Sequence, residues 1–393
     1  MSRKLHVLFI TYGYPKDIDD VKYSFFREQA ESLSEFGVKV GVLSSKLTSF
    51  LKPFYTTLLP KINCDTENNL NVVRCSWNKW VPFSEAYKIN TLKYISLLGF
   101  KKYIKKNGVP DLIHCHSLVY SGFITEHLSE RYKLPFLITE HNSGFYYEKH
   151  KSLLNDISRI CNKSSICLAV SSNLRLLLNK KINKSPDWKI HYNLVSNIFF
   201  DEKIKKQTIN EFTFIGIGNL IKEKNFKLLI SSFNNFNKKY PNSFLKIIGK
   251  GKELNELIRF AEKLNILSNI SFLGSLSRKK TMKELNNSNV FVSSSNYETF
   301  GIVSAEALAL GKVVISTENM GSHDILNKNV SITVPINDED EMTDAMINIY
   351  KNYKKYVPTQ IRKYAIRKFS SKFITDKLIS KYSQILYKTK SFS

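Results

Sequence analysis

The sequence predicts an α/β protein made of two Rossmann-like domains, each with a doubly wound parallel sheet. Three observations lead to this fold class. The chain has 393 residues, which is more than a single hydrophobic core usually supports. Short apolar runs alternate with helix-like segments along its length, as they do in βα units. Both halves begin with a strand followed by a helix, so the same architecture is expected twice.

Apolar runs predict five strands in each half, and segments with helical periodicity lie among them. In the first half, strands are expected at 5–11, 38–44, 112–116, 135–139 and 166–170, and helices at 25–36, 92–106, 121–132 and 173–181. In the second half, strands are expected at 212–217, 244–248, 270–273, 290–293 and 313–317, and helices at 226–240, 252–264, 279–287 and 302–310. Ligands of such sheets bind beyond the carboxyl ends of the strands, so the loops there carry the candidate site.

The chain has a formal net charge of +25, which favours an acidic partner or an anionic surface. The excess is uneven, because positions 351–393 contain twelve Lys or Arg residues and one acid, Asp376. A second basic stretch, 92–106, has the spacing of an amphipathic helix suited to anionic lipid. A domain helix packed on a sheet, with a solvated lysine face, explains the same pattern at least as well.

Other compositional features point to a cytoplasmic protein. No run of about 18 apolar residues predicts a transmembrane helix. The apolar segment 5–10 fits a first buried strand better than a signal peptide. The five cysteines are scattered without metal-ligand spacing, which indicates reduced thiols.

Two carboxylates eight positions apart, Glu298 and Glu306, mark the most informative segment. A strand precedes Glu298, the turn Phe300-Gly301 follows it, and an apolar helix carries Glu306. The amino end of that helix offers backbone N–H groups and a partial positive charge, which suit a phosphate. Carboxylates beside it can accept hydrogen bonds from sugar hydroxyls, so the segment predicts a site for a phosphorylated sugar. Spacing alone also fits one surface acid and one helix-face acid.

The first strand of the second half ends in a glycine-containing turn. Gly216 and Gly218 precede Asn219, and Lys224 follows shortly. A glycine turn lets backbone amides approach a diphosphate, and a lysine adds a point charge. A tight strand-to-helix turn is the competing interpretation, because no full Gly-x-Gly-x-x-Gly motif is present.

Histidines lie at two strand ends of the first half. His114 and His116 point to the same face of one strand, as metal ligands can, but no third ligand follows at suitable spacing. Structural histidines are therefore the better interpretation for that pair. His141 follows Glu140 at the next strand end, where a cleft is expected. A polar contact to substrate and a core or capping role both fit His141.

These motifs, in this order, resemble those of the retaining glycosyltransferases called glycosyl transferases group 1, or family four. The second half matches nearly end to end, at 214–225, 245–251, 270–274 and 297–314. The last of these segments is similar to the double-glutamate signature of the family. The first half matches more loosely, at 111–116, 139–141, 169–171 and 195–197. Together the matching segments cover most of the chain.

The resemblance implies the GT-B fold, in which two Rossmann-like domains face a central cleft. Residues 1–200 would form the acceptor-side domain, and residues 201–364 would form the domain that binds the nucleotide-sugar donor. A C-terminal helix at about 365–390 would pack back on the first domain.

The resemblance also implies roles for individual residues. Glu298 would contact the hydroxyls of the donor sugar, and Glu306 would hold the ribose of the nucleotide. Lys224 would neutralise the diphosphate as it leaves. His141 would lie near the donor sugar and the acceptor. His141, Glu298 and Lys224 are thus the expected catalytic residues.

The expected diphosphate site is made largely of main chain. Phe300, Gly301 and Ile302 would offer backbone N–H groups, and the loop at Gly218 and Asn219 would approach from the other side. Such enzymes generally need no metal or other cofactor, because basic residues and a helix N-terminus supply the positive charge. The donor would be a UDP- or GDP-linked sugar that binds as a substrate.

Two departures from the family pattern affect these expectations. Many members carry Arg where this chain has Asn219, so one positive charge at the diphosphate is missing and Lys222 is the available substitute. Many members also have a glycine-rich acceptor loop after the first strand. The corresponding segment 19–26 contains no glycine, which leaves the acceptor contacts undefined.

The expected function is transfer of a sugar, with retention of configuration, to a glycan or lipid-linked glycan. Such a reaction belongs to polysaccharide or lipopolysaccharide synthesis, with the basic segments docked on the anionic inner face of the cytoplasmic membrane. Sugar-nucleotide epimerases and phosphorylases share the architecture and remain alternatives. Nucleic-acid binding rests on charge alone, without a stacking aromatic platform or a known motif, and no nucleic-acid partner is expected.

Overall fold

The computed structural model describes residues 4–17, 20–48, 59–78, 84–142, 144–182, 184–205 and 211–391. Contacts divide the chain into two compact units. Unit 1 contains residues 1–194 and 374–393, and unit 2 contains residues 195–373. Each unit is built around a sheet flanked by helices, as the alternation of apolar and helical segments predicts.

In its described part, unit 1 contains an eight-stranded sheet. The strands are β1 (His6–Thr11), β2 (Lys39–Thr48), β3 (Lys61–Glu67), β4 (Leu70–Asn78), β5 (Leu112–His116), β6 (Phe136–Glu140), β7 (Ile166–Ala169) and β8 (Lys189–Ile190). Their spatial order is β3-β4-β2-β1-β5-β6-β7-β8. The strand order reverses between β1 and β5, so the carboxyl ends of these strands flank a crevice suited to ligands.

The helices of unit 1 connect these strands. They are α1 (Ser24–Glu35), α2 (Glu85–Asn107), α3 (Ser121–Tyr132), α4 (Gly144–Lys149), α5 (Leu154–Lys163) and α6 (Ser172–Lys181), with a 3-10 turn at Lys151–Leu153. The N-terminus of α2 is capped by Ser84, whose hydroxyl accepts the N–H of Tyr87 at 3.3 Å. Such caps satisfy amides that have no partner within the helix.

Strands β3 and β4 form an antiparallel hairpin, which adds one antiparallel edge strand to the expected parallel sheet. Asn68 and Asn69 at its tip have φ angles of 47° and 65°. Two successive left-handed residues are the signature of a type I′ turn, whose twist matches that of a hairpin. Most side chains of β3 are exposed, so this strand lacks the apolar run from which the other strands are predicted.

The basic stretch 92–106 lies within α2, which packs as an ordinary domain helix. Leu92, Ile95 and Phe100 are buried, each with at most 1% of its surface exposed. Lys101 and Lys102 are exposed on the opposite face. The structure therefore supports the interpretation of a helix packed on a sheet, because its apolar face is covered by protein.

In its described part, unit 2 contains a six-stranded sheet in which all neighbouring strands are parallel. The strands are β9 (Phe212–Ile217), β10 (Ser243–Ile248), β11 (Ile270–Gly274), β12 (Val290–Ser293), β13 (Val313–Thr317) and β14 (Ser331–Val334). Their spatial order, β11-β10-β9-β12-β13-β14, is the 3-2-1-4-5-6 order of a Rossmann fold. The switch point lies between β9 and β12, where a nucleotide is expected to bind.

Eight helices flank this sheet within the described residues. They are α7 (Asn197–Asp201), α8 (Phe226–Lys239), α9 (Leu254–Lys263), α10 (Arg278–Asn286), α11 (Ile302–Ala309), α12 (Ser322–Ile325), α13 (Glu339–Asn352) and α14 (Pro358–Phe369). Short 3-10 turns occur at Lys222–Lys224, Leu267–Asn269 and Tyr353–Lys355. Asp338 caps α13 by accepting the N–H of Glu341 at 2.9 Å, so the acidic run 338–340 is a helix start.

The last helix, α15 (Ser371–Ser391), belongs to unit 1 from Ile374 onward. Leu378, Tyr382 and Ile385 join the apolar core of that unit. Burying side chains of this size contributes about 1.5–3 kcal/mol each relative to exposure. The helix is thus part of the unit 1 core. None of the helices in the described ranges combines the length and apolarity needed to cross a bilayer.

Candidate functional site

Two loops of unit 2 meet at the switch point between β9 and β12. Ser294, after β12, donates its hydroxyl to the carbonyl of Lys224, after β9, at 2.9 Å. The amide of Asn296 donates to the carbonyl of Glu223 at 2.9 Å. Because these bonds join the two loops, the side chain of Lys224 is held against the loop that carries Glu298.

Lys224 and Glu298 form an ion pair at this junction. Glu298 also accepts a hydrogen bond from Ser295, whose Oγ lies 3.1 Å from its Oε1 atom. Both charged side chains are 22% exposed, so solvent or a ligand can reach the pair. Because a ligand can reach the pair, an anionic group can replace Glu298 as the partner of Lys224.

Helix α11 begins directly after this pair. Gly301 precedes the helix with φ 86°, a left-handed conformation that favours glycine. In the part of the chain that the structure describes, the amides of Gly301 and Ile302 donate to no backbone or side-chain acceptor. Amides at a helix start carry partial positive charge and suit a phosphate. Phe300, just before them, is buried and fixes the turn by packing against Phe369 at 5.9 Å between ring centroids.

Glu306, on the second turn of α11, has a partner that the sequence analysis did not predict. Its Oε1 atom lies 2.6 Å from the guanidinium of Arg278, the first residue of α10. The same guanidinium lies 4.9 Å from the ring centroid of Phe199. The side chain of Glu306 is 1% exposed, whereas that of Arg278 is 16% exposed. Arg278 is therefore the more solvent-accessible member of this ion pair, and it lies beside the buried carboxylate of Glu306.

The glycine turn after β9 lies beside this cluster. The amide of Gly218 donates to the carbonyl of Ile248 at 3.0 Å, which ties the turn to the neighbouring strand. Asn219 and Lys222 are both exposed at this end of the sheet. The structure thus brings Gly218, Asn219 and Lys224 to the same edge of unit 2 as the start of α11.

His141 lies in unit 1, after β6, among aromatic rings. Its Nε2 atom is 3.2 Å from Nδ1 of His116. The rings of Phe25 and Phe26 are 5.2 and 5.1 Å away between centroids. This desolvated setting lowers the pKa of His141 to about 3, so the imidazole is neutral at physiological pH.

Glu140 fixes the backbone that carries His141. Its carboxylate accepts the N–H groups of His141 and Asn142 at 2.7 Å each and that of Leu118 at 2.8 Å. The hydroxyl of Tyr147 donates to the same carboxylate. Four donors on one buried carboxylate define the turn tightly, so the position of the His141 ring depends on Glu140.

The other two histidines have structural surroundings. His114 contacts Tyr382 Oη at 2.7 Å and Thr139 Oγ1 at 2.8 Å, and both its nitrogens are thereby engaged. Burial lowers the pKa of both His114 and His116 well below the usual value. No group of three or more metal-ligating side chains forms among the described residues. His114 and His116 are therefore packing residues at the end of the sheet, next to His141.

The donor-side candidates and His141 thus fall in different units. Unit 2 holds Gly218, Asn219, Lys224, Glu298, Phe300, Gly301, Ile302 and Glu306. Sequence reasoning missed Arg278 and Ser295. No spacing rule links Arg278 to Glu306, which lies 28 positions away. The only sequence signal for Arg278 is that a basic residue stands at the start of α10, the helix before β12.

The chain is similar to known families over most of its length. Residues 199–368 match glycosyl transferases group 1, and residues 25–195 match glycosyltransferase family 4. An uncharacterized glycosyltransferase of Methanocaldococcus jannaschii is 27% identical over 81% of this chain and 69% of its own length. The alpha-monoglucosyldiacylglycerol synthase of Acholeplasma laidlawii is 24% identical over 63% of this chain and 68% of its own. The capsular polysaccharide biosynthesis glycosyltransferase CapM of Staphylococcus aureus is 26% identical over 75% and 80%.

Solved structures of other proteins superpose on nearly the whole length of this chain. The sucrose-phosphate synthase of Thermosynechococcus elongatus superposes with a TM-score of 0.77 at 18% identity, covering 98% of this chain and 100% of its own. The HepE protein of Anabaena, solved in complex with UDP, gives a TM-score of 0.73 at 15% identity, covering 97% and 100%. These similarities confirm the expected GT-B fold class.

Proposed function

Since the chain belongs to the glycosyl transferases group 1 of family 4 and is a glycosyltransferase, we propose that it uses a nucleotide-diphosphate sugar as donor and retains the anomeric configuration. The acceptor is a glycan or lipid-linked glycan in the synthesis of cell-surface polysaccharide or lipopolysaccharide. The observation that carries this proposal is the partly exposed Lys224–Glu298 pair beside the amino end of α11, at the switch point of a Rossmann sheet.

Related proteins support the donor and acceptor classes. The Anabaena HepE protein has been solved with UDP and with UDP-glucose, which supports a UDP-linked sugar ahead of a GDP-linked one. The Staphylococcus aureus relative is named for capsular polysaccharide biosynthesis, and the Acholeplasma laidlawii relative for a glucosylated diacylglycerol. Both names describe surface or membrane glycans, in agreement with the proposed acceptor.

In the proposed reaction, Lys224 exchanges Glu298 for the diphosphate of the donor. The amides of Gly301 and Ile302 and the partial positive charge of α11 add to this stabilisation as negative charge develops on the leaving phosphate. Glu298, released from the ion pair, accepts hydrogen bonds from the hydroxyls of the donor sugar. The acceptor hydroxyl attacks from the face that the nucleotide leaves, which retains the configuration.

Glu306 is assigned to the ribose of the nucleotide. Its carboxylate is buried against Arg278, so the ribose contact requires the Arg278 side chain to move aside or to bridge the two. Asn219 supplies a neutral contact where many family members have a cation, and Lys222 is the exposed cation nearest in sequence. No metal or other cofactor is assigned.

His141 is assigned to the acceptor and donor sugar as a neutral group. With a pKa of about 3, it can exchange hydrogen bonds with hydroxyls without adding charge near the diphosphate. Glu140 holds its backbone in place for that contact. The histidine thereby positions hydroxyl groups.

We also propose a peripheral location at the inner face of the cytoplasmic membrane. The exposed lysines of α2, including Lys101, Lys102, Lys105 and Lys106, offer an electrostatic contact, while the apolar face of this helix is occupied by the unit 1 core. Flotation with vesicles containing phosphatidylglycerol should recover the protein in a salt-sensitive manner, and vesicles of phosphatidylcholine should not. Equal absence from both would remove this part of the proposal.

A thermal-shift screen with UDP, GDP and their sugars tests the donor class. We expect a shift with one nucleotide family, and we expect Glu306→Ala and the isosteric Glu306→Gln to abolish it. Glu284→Gln is the matched control, because Glu284 of α10 pairs with Lys246 of β10 and with none of the assigned residues. A wild-type shift in both Glu306 variants would overturn the ribose contact, and no shift with any nucleotide would overturn the donor class.

Analysis of the product by NMR tests the reaction itself. A glycoside with the anomeric configuration of the donor supports retaining transfer. An inverted product would contradict it. Formation of an epimerised nucleotide sugar or of a sugar 1-phosphate without transfer would assign the chain to the epimerase or phosphorylase classes instead.

A further inference from the structure

Unit 1 contains a cavity that the donor site does not use. Its volume is about 350 Å³, and it opens beside the carboxyl ends of β1, β2 and β4. This volume falls within the range of small-molecule sites. Four lysines line it: Lys16 and Lys22 from the loop between β1 and α1, Lys46 from β2, and Lys61 at the start of β3. The cavity thus lies at the sheet edge where ligands of α/β proteins bind.

No ion pair joins Lys16, Lys22 or Lys46 to an acid among residues 4–17, 20–48 and 59–391 where the structure describes them. Asp20 is the acid that lines the cavity. Its two carboxylate oxygens accept the backbone N–H groups of Lys16 and Lys22, at 3.0 Å each. Asp20 therefore holds both lysines in the cavity wall through their main chain.

The lysines are also close enough to act on one another. Burial lowers the pKa of Lys46, and the charges of Lys16, Arg74 and Lys22 lower it further. Like charges gathered around one cavity repel each other, and an anion that enters the cavity relieves that repulsion.

A nearby arginine has a different role. Both terminal nitrogens of Arg74 pair with the carboxylate of Glu67, at 2.5 and 2.9 Å. One of them also donates to the carbonyl of Pro15 at 2.7 Å. Because both terminal nitrogens of Arg74 are engaged by Glu67 and Pro15, Arg74 braces the β1 loop and leaves the lysines to meet a ligand.

Tyrosines also line the cavity. Tyr14 is 6% exposed, and its hydroxyl has no hydrogen-bond partner among the described residues. Tyr23 covers Gly13 so closely that a Cβ atom there would lie 2.4 Å from the ring. Glycine at position 13 thus lets the ring form one wall of the cavity. Buried hydroxyls rarely lack a partner, so the Tyr14 hydroxyl is a group that a ligand can satisfy.

We propose that this cavity binds a phosphate group of the acceptor, held by Lys16, Lys22 and Lys46. The inference rests on the proposed glycosyltransferase function and specifies the chemistry of its acceptor. A phosphate ester carries close to two negative charges and three acceptor oxygens, which matches three lysine ammonium groups better than a single carboxylate does. Residues 20–23, which include Lys22, then take the place of the glycine-rich acceptor loop that this chain lacks.

Binding of glucose 6-phosphate to the full chain, followed by ³¹P NMR line broadening and by equilibrium dialysis, tests the proposal. We expect at least ten-fold tighter binding of glucose 6-phosphate than of glucose. Lys46→Met and Lys22→Met should each weaken binding of the phosphate by about 10- to 100-fold, as expected for loss of one charge-assisted contact. Lys180→Met, an exposed lysine of α6 in the same unit, should leave binding unchanged.

A variant of the donor side separates the two anion sites. Lys224→Met should bind glucose 6-phosphate as the wild type does, because Lys224 belongs to unit 2. The proposal is overturned if glucose and its phosphate bind equally, if the cavity variants bind like the wild type, or if binding is lost in Lys224→Met. Tyr14→Phe should weaken binding only a few-fold, since one neutral hydrogen bond is removed.

Turnover measurements distinguish failure of this inference from failure of the proposed function. Efficient transfer to neutral acceptors that is insensitive to Lys22 and Lys46 would leave the function standing and remove the phosphate pocket. Phosphate binding that follows the lysines, without transfer from any nucleotide sugar, would keep the pocket and remove the function. Competition by phosphatidylglycerol vesicles would assign the phosphate to a lipid headgroup, and its absence to a soluble sugar phosphate.

Discussion

In both units the candidate functional residues lie near the carboxyl ends of the strands. The two units differ in which charged and neutral groups they hold there. In unit 2, the loops hold acids against cations, Glu298 with Lys224 and Glu306 with Arg278. In unit 1, the equivalent edge holds lysines that form no salt bridge within the described residues and, after β6, the neutral imidazole of His141. A paired acid can be exchanged for an anionic ligand, whereas a neutral imidazole offers hydrogen bonds without competing for that charge. The proposed function accordingly places the leaving group at unit 2 and the acceptor at unit 1.

Histidines are unevenly distributed between the units. Seven of the eight lie in unit 1, and unit 2 contains His323 alone. Four of those in unit 1 are held neutral: His114, His116, His141 and His191. Burial lowers the pKa of His191 to about 3, as it does for His141. Acid should therefore act on the two units very differently.

The largest expected effect is acid unfolding of unit 1 before unit 2. In the unfolded chain these histidines titrate near pH 6.5, whereas His141 and His191 stay neutral in the fold down to about pH 3. As the pH falls below 6.5, the unfolded chain binds protons that the native chain does not. Stability is then lost at about 1.4 kcal/mol per pH unit for each such histidine. All three tryptophans lie in unit 1, so their fluorescence should change at a higher pH than the helical signal of unit 2.

Two substitutions sharpen this prediction. His191→Gln removes one buried base and should move the fluorescence midpoint to lower pH. His323→Gln, which changes the exposed histidine of unit 2, should leave the midpoint unchanged. A single transition reported identically by fluorescence and by hydrogen exchange of unit 2 peptides would contradict the assignment of acid sensitivity to unit 1.

The second largest effect is expected for Lys224→Met, which removes the exchangeable cation of unit 2. Loss of one group that stabilises a leaving phosphate should lower kcat by about 100- to 1,000-fold. Lys227→Met is the matched control, because Lys227 lies three residues after Lys224 and forms an exposed pair with Glu256. The rate of product formation from the nucleotide sugar measures kcat for both variants. Activity of Lys224→Met within three-fold of the Lys227→Met value would remove Lys224 from the mechanism.

The same comparison shows what the sequence could predict of the fold. Strands β9, β12 and β13 begin and end where they were expected, because strands buried on both faces appear as short continuous apolar runs. The β3–β4 hairpin was missed, since β3 is mostly exposed and has no such run. Strand β14 was missed for a similar reason: it has four residues, of which two are polar.

Prediction of the site was limited because some of its side chains pair with residues that are far away in the sequence. The turn at Gly301 and the helix that carries Glu306 follow from local residue types, and the structure contains both. The partner of Glu306 depends on how α10 packs near α11, which no local pattern encodes. The neutral state of His141 also depends on the packing at the end of the sheet. Residues that are distant in sequence but close in space bury the imidazole and lower its pKa.

A third, smaller effect is expected for Glu298→Gln. Without its acid partner, Lys224 no longer has to exchange an ion pair for the diphosphate, so UDP should bind a few-fold more tightly. The sugar loses a charged acceptor for its hydroxyls, so kcat should fall by about 10- to 100-fold. Titration calorimetry with UDP and steady-state kinetics measure the two changes. Glu284→Gln should alter neither, and parallel weakening of UDP binding and turnover in Glu298→Gln would contradict the exchange of partners.

The smallest effect concerns the one strongly shifted base of unit 2 in the described residues, Lys312. It is 3% exposed, and its Nζ atom donates to the carbonyl of Asn286 at 2.7 Å. Burial first, and then the charges of Lys205 and Arg362, lower the pKa of Lys312 to about 7. The unfolded chain binds this proton up to about pH 10.4, so the stability of the wild type should rise with pH between 7 and 10.

Lys312→Met should therefore stabilise the protein at pH 7 and below, where the native state must hold a buried charge. Loss of the hydrogen bond to the Asn286 carbonyl offsets much of this gain, which leaves about 1 kcal/mol. The gain should vanish near pH 10, where wild-type Lys312 is already neutral in the fold. Urea unfolding at pH 7 and pH 10 measures the difference, with exposed Lys328→Met as the control. A gain of equal size at both pH values would show that packing, and not charge, sets the stability at this position.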